Sequence, residues 1–295
     1  MEALQTNTRI SLSNILVTTD FSTVSKNALP FAAALARQYE AHIIVAHALS
    51  PELHMSVPMD PLRAEDDRAF LEAQGRLAEF SLGNSLGVRP AEMILKRGEV
   101  WSVTSDIIQK HKIDLVVTGT HGRQGLQKVV LGSEAEKIFR KATCPVLTIG
   151  PHVIPPSDTD WELKTILFPT DGSEASLKAL PYALSLAEEN QANLIFLQLL
   201  PMVPPQYRES EEATAREAMR FLVPPESEDW CKPEFVARFD FPAEGILGFA
   251  RERHVDLIVM GVRGSGESAV PEHMPWPLAS QVVAQAQCPV LTVRG

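Results

Sequence analysis

The chain repeats itself, and that restricts its fold more than any other feature. Residues 15–49, ILVTTDFSTVSKNALPFAAALARQYEAHIIVAHAL, align without a gap to residues 166–200, ILFPTDGSEASLKALPYALSLAEENQANLIFLQLL, with 15 identities in 35 positions. Two later phrases recur in the same order: Ile113 to Gly119, IDLVVTG, matches Val255 to Gly261, VDLIVMG, and Thr143 to Ile149, TCPVLTI, matches Gln287 to Val293, QCPVLTV. The offset, 166 − 15 = 151 residues, is a domain length and not the short period of a solenoid. The chain therefore reads as a tandem duplication of one domain. Residues 1–150 are expected to form the first domain and 161–295 the second. Residues 151–160, PHVIPPSDTD, have the prolines and polar side chains of a linker.

Within each copy, short apolar runs alternate with helical stretches. Asn14 to Thr18, Ala41 to Ala48, Leu115 to Gly119 and Val146 to Ile149 are predicted strands, with a weaker one at Glu92 to Leu95. They lack polar alternation, as strands buried on both faces do. Asp20-Phe21-Ser22 supplies capping residues for a helix of about fifteen residues ending near Tyr39. A proline-rich surface connection is expected over Ser50 to Pro61, helical periodicity runs from Leu62 to Leu86, and a further helix from Val100 to Lys110. In the second copy the middle helix is expected from Ser210 to Leu222. This order calls for an α/β fold of two tandem doubly wound domains, each with a five-stranded parallel sheet. In such sheets a ligand lies beyond the carboxyl ends of the strands where the strand order reverses, so the first and fourth strands should flank it.

The fourth strand of the first copy runs into glycines. The spacing is Gly119, Gly122, then Gly132-Ser133, or G-x2-G-x9-G-S, and a helix to Lys141 follows. Glycines at a strand exit allow backbone amides near an anion, and a helix N-terminus adds unsatisfied donors. The motif resembles the nucleotide-binding motif of the universal stress proteins, and the order of elements resembles that family over essentially the whole chain, twice. The resemblance implies a flavodoxin-like or Rossmann-like fold, related to the adenine nucleotide alpha hydrolases, that holds ATP. It places Thr18, Thr19 and Asp20 after the first strand, and Asp20 on the adenosine moiety. Ala48 offers its backbone to adenine. Thr118, Gly119, His121, Gly122, Arg123, Gly132, Ser133 and Glu134 line the ribose and phosphates.

Bland readings stand beside these. Asp20 can also cap the following helix, and His47 is expected to be a packed, hydrogen-bonded histidine rather than a ligand. Glu134 and Ala135 stand where relatives carry a small apolar residue and then serine or threonine. A carboxylate there suits the helix dipole but repels a triphosphate, with Lys128 available to offset it. The second copy keeps Gly261 and Gly264, yet Met274-Pro275 or Trp276-Pro277 replaces Gly-Ser, and Gln198 replaces His47 while Asp171 is retained. Proline has no N–H to donate, so this copy is not expected to bind ATP in the family manner. Its role is expected to be structural, with a different ligand against Trp276 as the alternative.

A formal charge of −10 and a pI near 5.3 leave no basic stripe, which argues against nucleic-acid and anionic-membrane partners. No run approaches the roughly 18 apolar residues of a membrane span, and MEALQTNTRI lacks a signal-peptide core, so a cytoplasmic location is expected. Cys144 and Cys288 read as small buried hydrophobes ahead of a strand, with no disulfide framework. No catalytic or metal-ligating residue is assigned. Mg2+ accompanies ATP in this reading without an acidic pair that requires it. The leading function is an ATP-binding module in a stress response. A nonbinding scaffold and a slow ATPase, with Asp20 and His121 as its only candidates, are the alternatives; there is no Walker A motif. Universal stress proteins commonly dimerise through their last strand, which implies an intramolecular pseudo-dimer through Pro145 to Ile149 and Pro289 to Val293. Further pairing into a homodimer stays open.

Overall fold

The computed structural model describes residues 9–50, 59–82, 90–120, 132–156, 160–223, 233–262 and 278–295. The chain divides into two compact units. One is Leu12–Trp161, and the other is Glu162–Gly295 together with residues 9–11. Those N-terminal residues are tied to the second unit by the Ile10 amide, which donates to Ser185 Oγ at 2.8 Å, and by an Arg9–Glu188 ion pair.

The first unit consists of β1 (Asn14–Thr18), α1 (Thr23–Gln38), β2 (His42–Leu49), α2 (Met59–Leu82), β3 (Glu92–Arg97), α3 (Val100–Lys110), β4 (Leu115–Gly119), α4 (Ser133–Lys141) and β5 (Val146–Ile149). Its strands are parallel in the order β3-β2-β1-β4-β5. The second consists of β6 (Thr165–Pro169), α5 (Glu174–Leu177), α6 (Leu180–Asn190), β7 (Asn193–Leu200), α7 (Pro205–Arg220), β8 (Glu234–Phe239), α8 (Pro242–Glu252), β9 (Leu257–Val262), α9 (Leu278–Gln285) and β10 (Val290–Arg294). Its order, β8-β7-β6-β9-β10, repeats the first. In both, the chain winds one way from the central strand and then returns to the other side, so the crevice of a doubly wound sheet opens between β1 and β4 and between β6 and β9. Ile15, Leu16, Val17, Val116 and Val117 of the first sheet are almost wholly excluded from water. That burial explains their unbroken apolar sequence.

The repeat extends to individual hydrogen bonds. Asp114 Oδ2 accepts from the amides of Ser13 and Asn14 at 2.8 and 2.9 Å, and Asp256 Oδ2 accepts from those of Lys164 and Thr165 at 2.9 and 2.8 Å. Each carboxylate ties the start of the central strand to its neighbour with charge-assisted bonds. At the other end of the strand, Thr19 Oγ1 accepts from the Phe21 amide and meets Ser25 Oγ at 3.0 Å, just as Thr170 Oγ1 accepts from the Gly172 amide and meets Ser176 Oγ at 2.8 Å. Ser22 and Ser173 then cap α1 and α5 by accepting from the amides of Ser25 and Ser176. The shared phrase T-D-x-S-x-x-S is thus a strand-to-helix turn written twice.

Several element ends differ from those expected. The helix α2 begins at Met59, inside the stretch predicted as a loop to Pro61; residues 51–58 of that stretch lie outside the described residues. Pro61 falls in the first turn, where its missing N–H would have had no helical partner. The same tolerance lets α7 start at Pro205, five residues before Ser210. The strand β3 runs on to Arg97 beside β2. The expected linker is anchored in part: Val153 is buried, and Trp161, just beyond it, packs edge-on against Phe31 with ring centres 5.0 Å apart.

Gly119 and Gly261 share a packing reason for being glycine. A Cβ on Gly119 would lie 2.9 Å from the Ser25 nitrogen and 3.0 Å from the Val24 carbonyl carbon, and one on Gly261 would lie 1.9 Å from the Ala175 oxygen. The first turn of the helix after the central strand rests directly on the fourth strand. Gly119→Ala should therefore lower stability by about 1–3 kcal/mol with no nucleotide present, and Gly261→Ala by more. Unchanged urea midpoints in both variants would show that this packing does not require glycine.

Cys288 is buried, as expected, whereas Cys144 is only half-buried. Burial pushes the Cys144 and Cys288 thiols up from 9.0 to about 12. A folded-state value above the unfolded one stabilises the fold below pH 9.0, and this contribution is lost as pH rises toward about 12. In a Cys231→Ser background, Cys288 should stay unreactive toward Ellman's reagent at pH 8. Between pH 9 and 11, urea midpoints should fall more steeply than in a further Cys288→Ala variant.

Candidate functional site

At the carboxyl ends of β1 and β4, Thr18 and Thr118 stand in register. The Thr18 hydroxyl donates to Thr118 Oγ1 at 2.8 Å, and the Thr118 hydroxyl leans toward the Gly119 carbonyl at 3.3 Å. Two polar side chains thus floor the crevice of an otherwise apolar sheet. Thr19 is buried, and its hydroxyl serves the turn. Asp20 Oδ1 accepts from the Ser22 amide at 2.9 Å, so Asp20 shapes the turn while Ser22 caps the helix.

Phe21 follows in the left-handed region, with φ +65°. Its counterpart Gly172 has φ +74°, which shows that the turn itself demands this conformation. For a residue with a Cβ the cost is on the order of 1–2 kcal/mol. Packing offsets it: the Phe21 ring lies 4.4 Å from that of His47 and 6.0 Å from that of Phe80, and the Arg76 guanidinium carbon sits 4.5 Å from its centre. Buried His47 also approaches the Thr19 carbonyl, with Nδ1 at 2.6 Å. A carbonyl only accepts, so Nδ1 carries the proton. His47 is the packed, hydrogen-bonded histidine that was expected. Ala48 lies beside it near the end of β2.

Beyond β4, buried Thr120 donates its amide to the Ile149 carbonyl at 3.0 Å and accepts from the Gly132 amide at 2.7 Å. This fastens the start of α4 to the end of the central crevice. The Gly132 amide, expected as a donor to phosphate, is therefore engaged. Gly132 has no side chain with which to cap α4, whereas α1 and α5 are capped by serines. The amides of Ser133, Glu134 and Ala135 form the first turn, where a helix supplies no acceptor, and such an end suits an anion. His121, Gly122, Arg123 and Lys128 lie outside the described residues.

Glu134 is held in place. Its Oε1 accepts from Lys137 Nζ at 2.8 Å, and the same ammonium reaches Glu99 Oε1 at 3.1 Å. These bonds, Glu134 first, hold the Lys137 ammonium above its ordinary range. Among the described residues Glu134 Oε2 has no hydrogen-bond partner, although the side chain as a whole is 39% exposed. Sequence reasoning looked to Lys128 and passed over Lys137, although the i, i+3 spacing of Glu134 and Lys137 on a helix was there to be read.

The second unit keeps the turn and loses the floor. Pro169 and Met260 stand where the first has Thr18 and Thr118, and Gln198 replaces His47. Asp171 Oδ1 still accepts from the Ser173 amide at 3.0 Å. Gly264, Met274, Pro275, Trp276 and Pro277 lie outside the described residues. Among the described residues, no group of His, Cys, Asp and Glu could hold a metal ion, and no helix is long and apolar enough to cross a membrane.

The profile of the universal stress protein family matches residues 12–150 and again 162–294. A universal stress protein of Mycolicibacterium smegmatis is 27% identical over 296 residues, covering 95% of this chain and 96% of its own length. Universal stress protein A homolog 1 of Coxiella burnetii is 31% identical over 138 residues, covering 46% of this chain and 94% of its own. Among solved structures, that of a universal stress protein from Archaeoglobus fulgidus shares the fold at a TM-score of 0.68, with 18% identity, 95% of this chain and 98% of that one covered. With the family profile satisfied once in each half, this chain belongs to the universal stress protein family as a tandem, two-domain member.

Proposed function

We propose that the first unit binds an adenine nucleotide at the crevice between β1 and β4, and that the protein acts as a cytoplasmic binding module in a stress response. One observation supports this above the rest: α4 begins uncapped at the switch point of the sheet, pinned there by the bond from Gly132 to Thr120. First-turn amides without a helical acceptor and a helix dipole make that spot suited to a phosphate. Thr18, Thr19, Asp20, Ala48, Thr118 and Gly119 line the adenosine end in this reading. His121, Gly122, Arg123, Ser133 and Glu134 line the phosphates, with Gly132 fixing the start of the helix. ATP, with Mg2+ as its counter-ion, is the ligand the family resemblance implies. The polar floor is replaced in the second unit, which serves as a structural partner rather than a second nucleotide site. A nonbinding scaffold is the rival reading, and the carboxylate of Glu134 at the phosphate end favours it.

Denaturing freshly purified protein and quantifying released ATP, ADP and AMP separates these readings. About one nucleotide per chain is expected, and two would refute the structural role of the second unit. No nucleotide, together with a flat calorimetric titration, would establish the scaffold. Gly132→Trp should abolish binding while leaving the fold intact. Retained affinity in that variant would overturn the placement of the phosphates.

A further inference from the structure

The segments that lead into β1 and β6 are exchanged between the compact units. Residues 9–11, ahead of β1, belong to the unit of Glu162–Gly295, whereas Asp160 and Trp161, ahead of β6, belong to the unit that begins at Leu12. The strands start at Asn14 and Thr165, an offset of 165 − 14 = 151 residues. That offset aligns Arg9, Ile10 and Leu12 with Asp160, Trp161 and Leu163, and Arg37 of α1 with Glu188 of α6. Arg9 pairs with Glu188 at 3.5 Å, and Asp160 with Arg37 at 4.0 Å. One ion pair is thus written twice with its charges reversed. Beside it, the Ile10 amide donates to buried Ser185 Oγ at 2.8 Å, and that hydroxyl donates to Glu189 at 2.9 Å. The equivalent of Ile10, Trp161, packs on the Phe31 ring of α1.

We propose that these leaders are reciprocal straps whose charges match each one to the helix of the unlike copy and reject the like one. If a leader met the helix of a like copy, Arg9 would face Arg37 and Asp160 would face Glu188. Both of those combinations repel, whereas both observed ones attract. The helix α1 therefore takes an acidic leader carrying an aromatic ring, and α6 takes a basic one. Arg9 and Asp160 are 71% and 89% exposed, so the discrimination is a few-fold effect that salt weakens.

Hydrogen exchange of the full chain at low ionic strength, followed by NMR, tests this at the Ile10 amide. Arg9→Asp/Asp160→Arg sets like charges together at both straps. Protection of Ile10 should fall about threefold or more, and the Trp161 indole resonance should shift. Adding Arg37→Glu/Glu188→Arg to that variant restores both attractions and should bring Ile10 protection back to within about twofold of the parent. The Asn14 amide, held by Asp114 inside the first unit, is the control and should exchange alike in all three proteins. About 0.5 M sodium chloride should narrow the differences at Ile10. Unchanged protection of Ile10 in the double variant would overturn the selection by charge, and so would failure of the quadruple variant to recover it.

Discussion

The backbone at the start of α1 lies closer to Gly119 than a methyl group would allow, with the Ser25 nitrogen 2.9 Å from where a Cβ would be. The geometry of the crevice depends on that contact. It sets how far the turn after β1 stands from the end of β4, and so how far Asp20 stands from the residues that lead into α4. The turn is rigid because Thr19, Ser22 and Ser25 hydrogen-bond to one another and to its backbone. The same contact recurs at Gly261 and Ala175, in a unit whose phosphate motif is degenerate. A glycine retained where the binding motif has decayed is explained by packing, not by a ligand.

Much of this was legible in the sequence. The β-branched runs of β1, β4 and β5 announce strands buried on both faces, and the repeat supplies a second reading of each. Less legible were the ends of elements near prolines. A proline in the first turn of α2 or α7 looks like a loop in sequence and costs a helix almost nothing. At the site, the turn role of Asp20 and the packing of His47 could be read from their neighbours. The engagement of the Gly132 amide could not, because it depends on the Thr120 carbonyl coming within 2.7 Å across eleven intervening residues. Nor could the placement of the Glu134 carboxylate, which Lys137 holds by one oxygen.

The two units show what duplication leaves free to change. Bonds that hold the central strand, those of Asp114 and Asp256 and of Thr19 and Thr170, are the same in both. The crevice floor is not: a hydrogen-bonded threonine pair in one is proline and methionine in the other. Fold and site are separable here because the residues that fix the backbone point along or into the sheet, while those that differ stand at its rim.

Phe21 is where the first unit gives up the freedom that its sister keeps. Gly172 adopts the same left-handed turn without strain. Phe21 adopts it because His47, Arg76 and Phe80 grip its ring. The turn after β1 and the helix α2 are thereby joined through one aromatic cluster. Whatever positions Arg76 and Phe80 therefore also bears on the backbone beside Asp20.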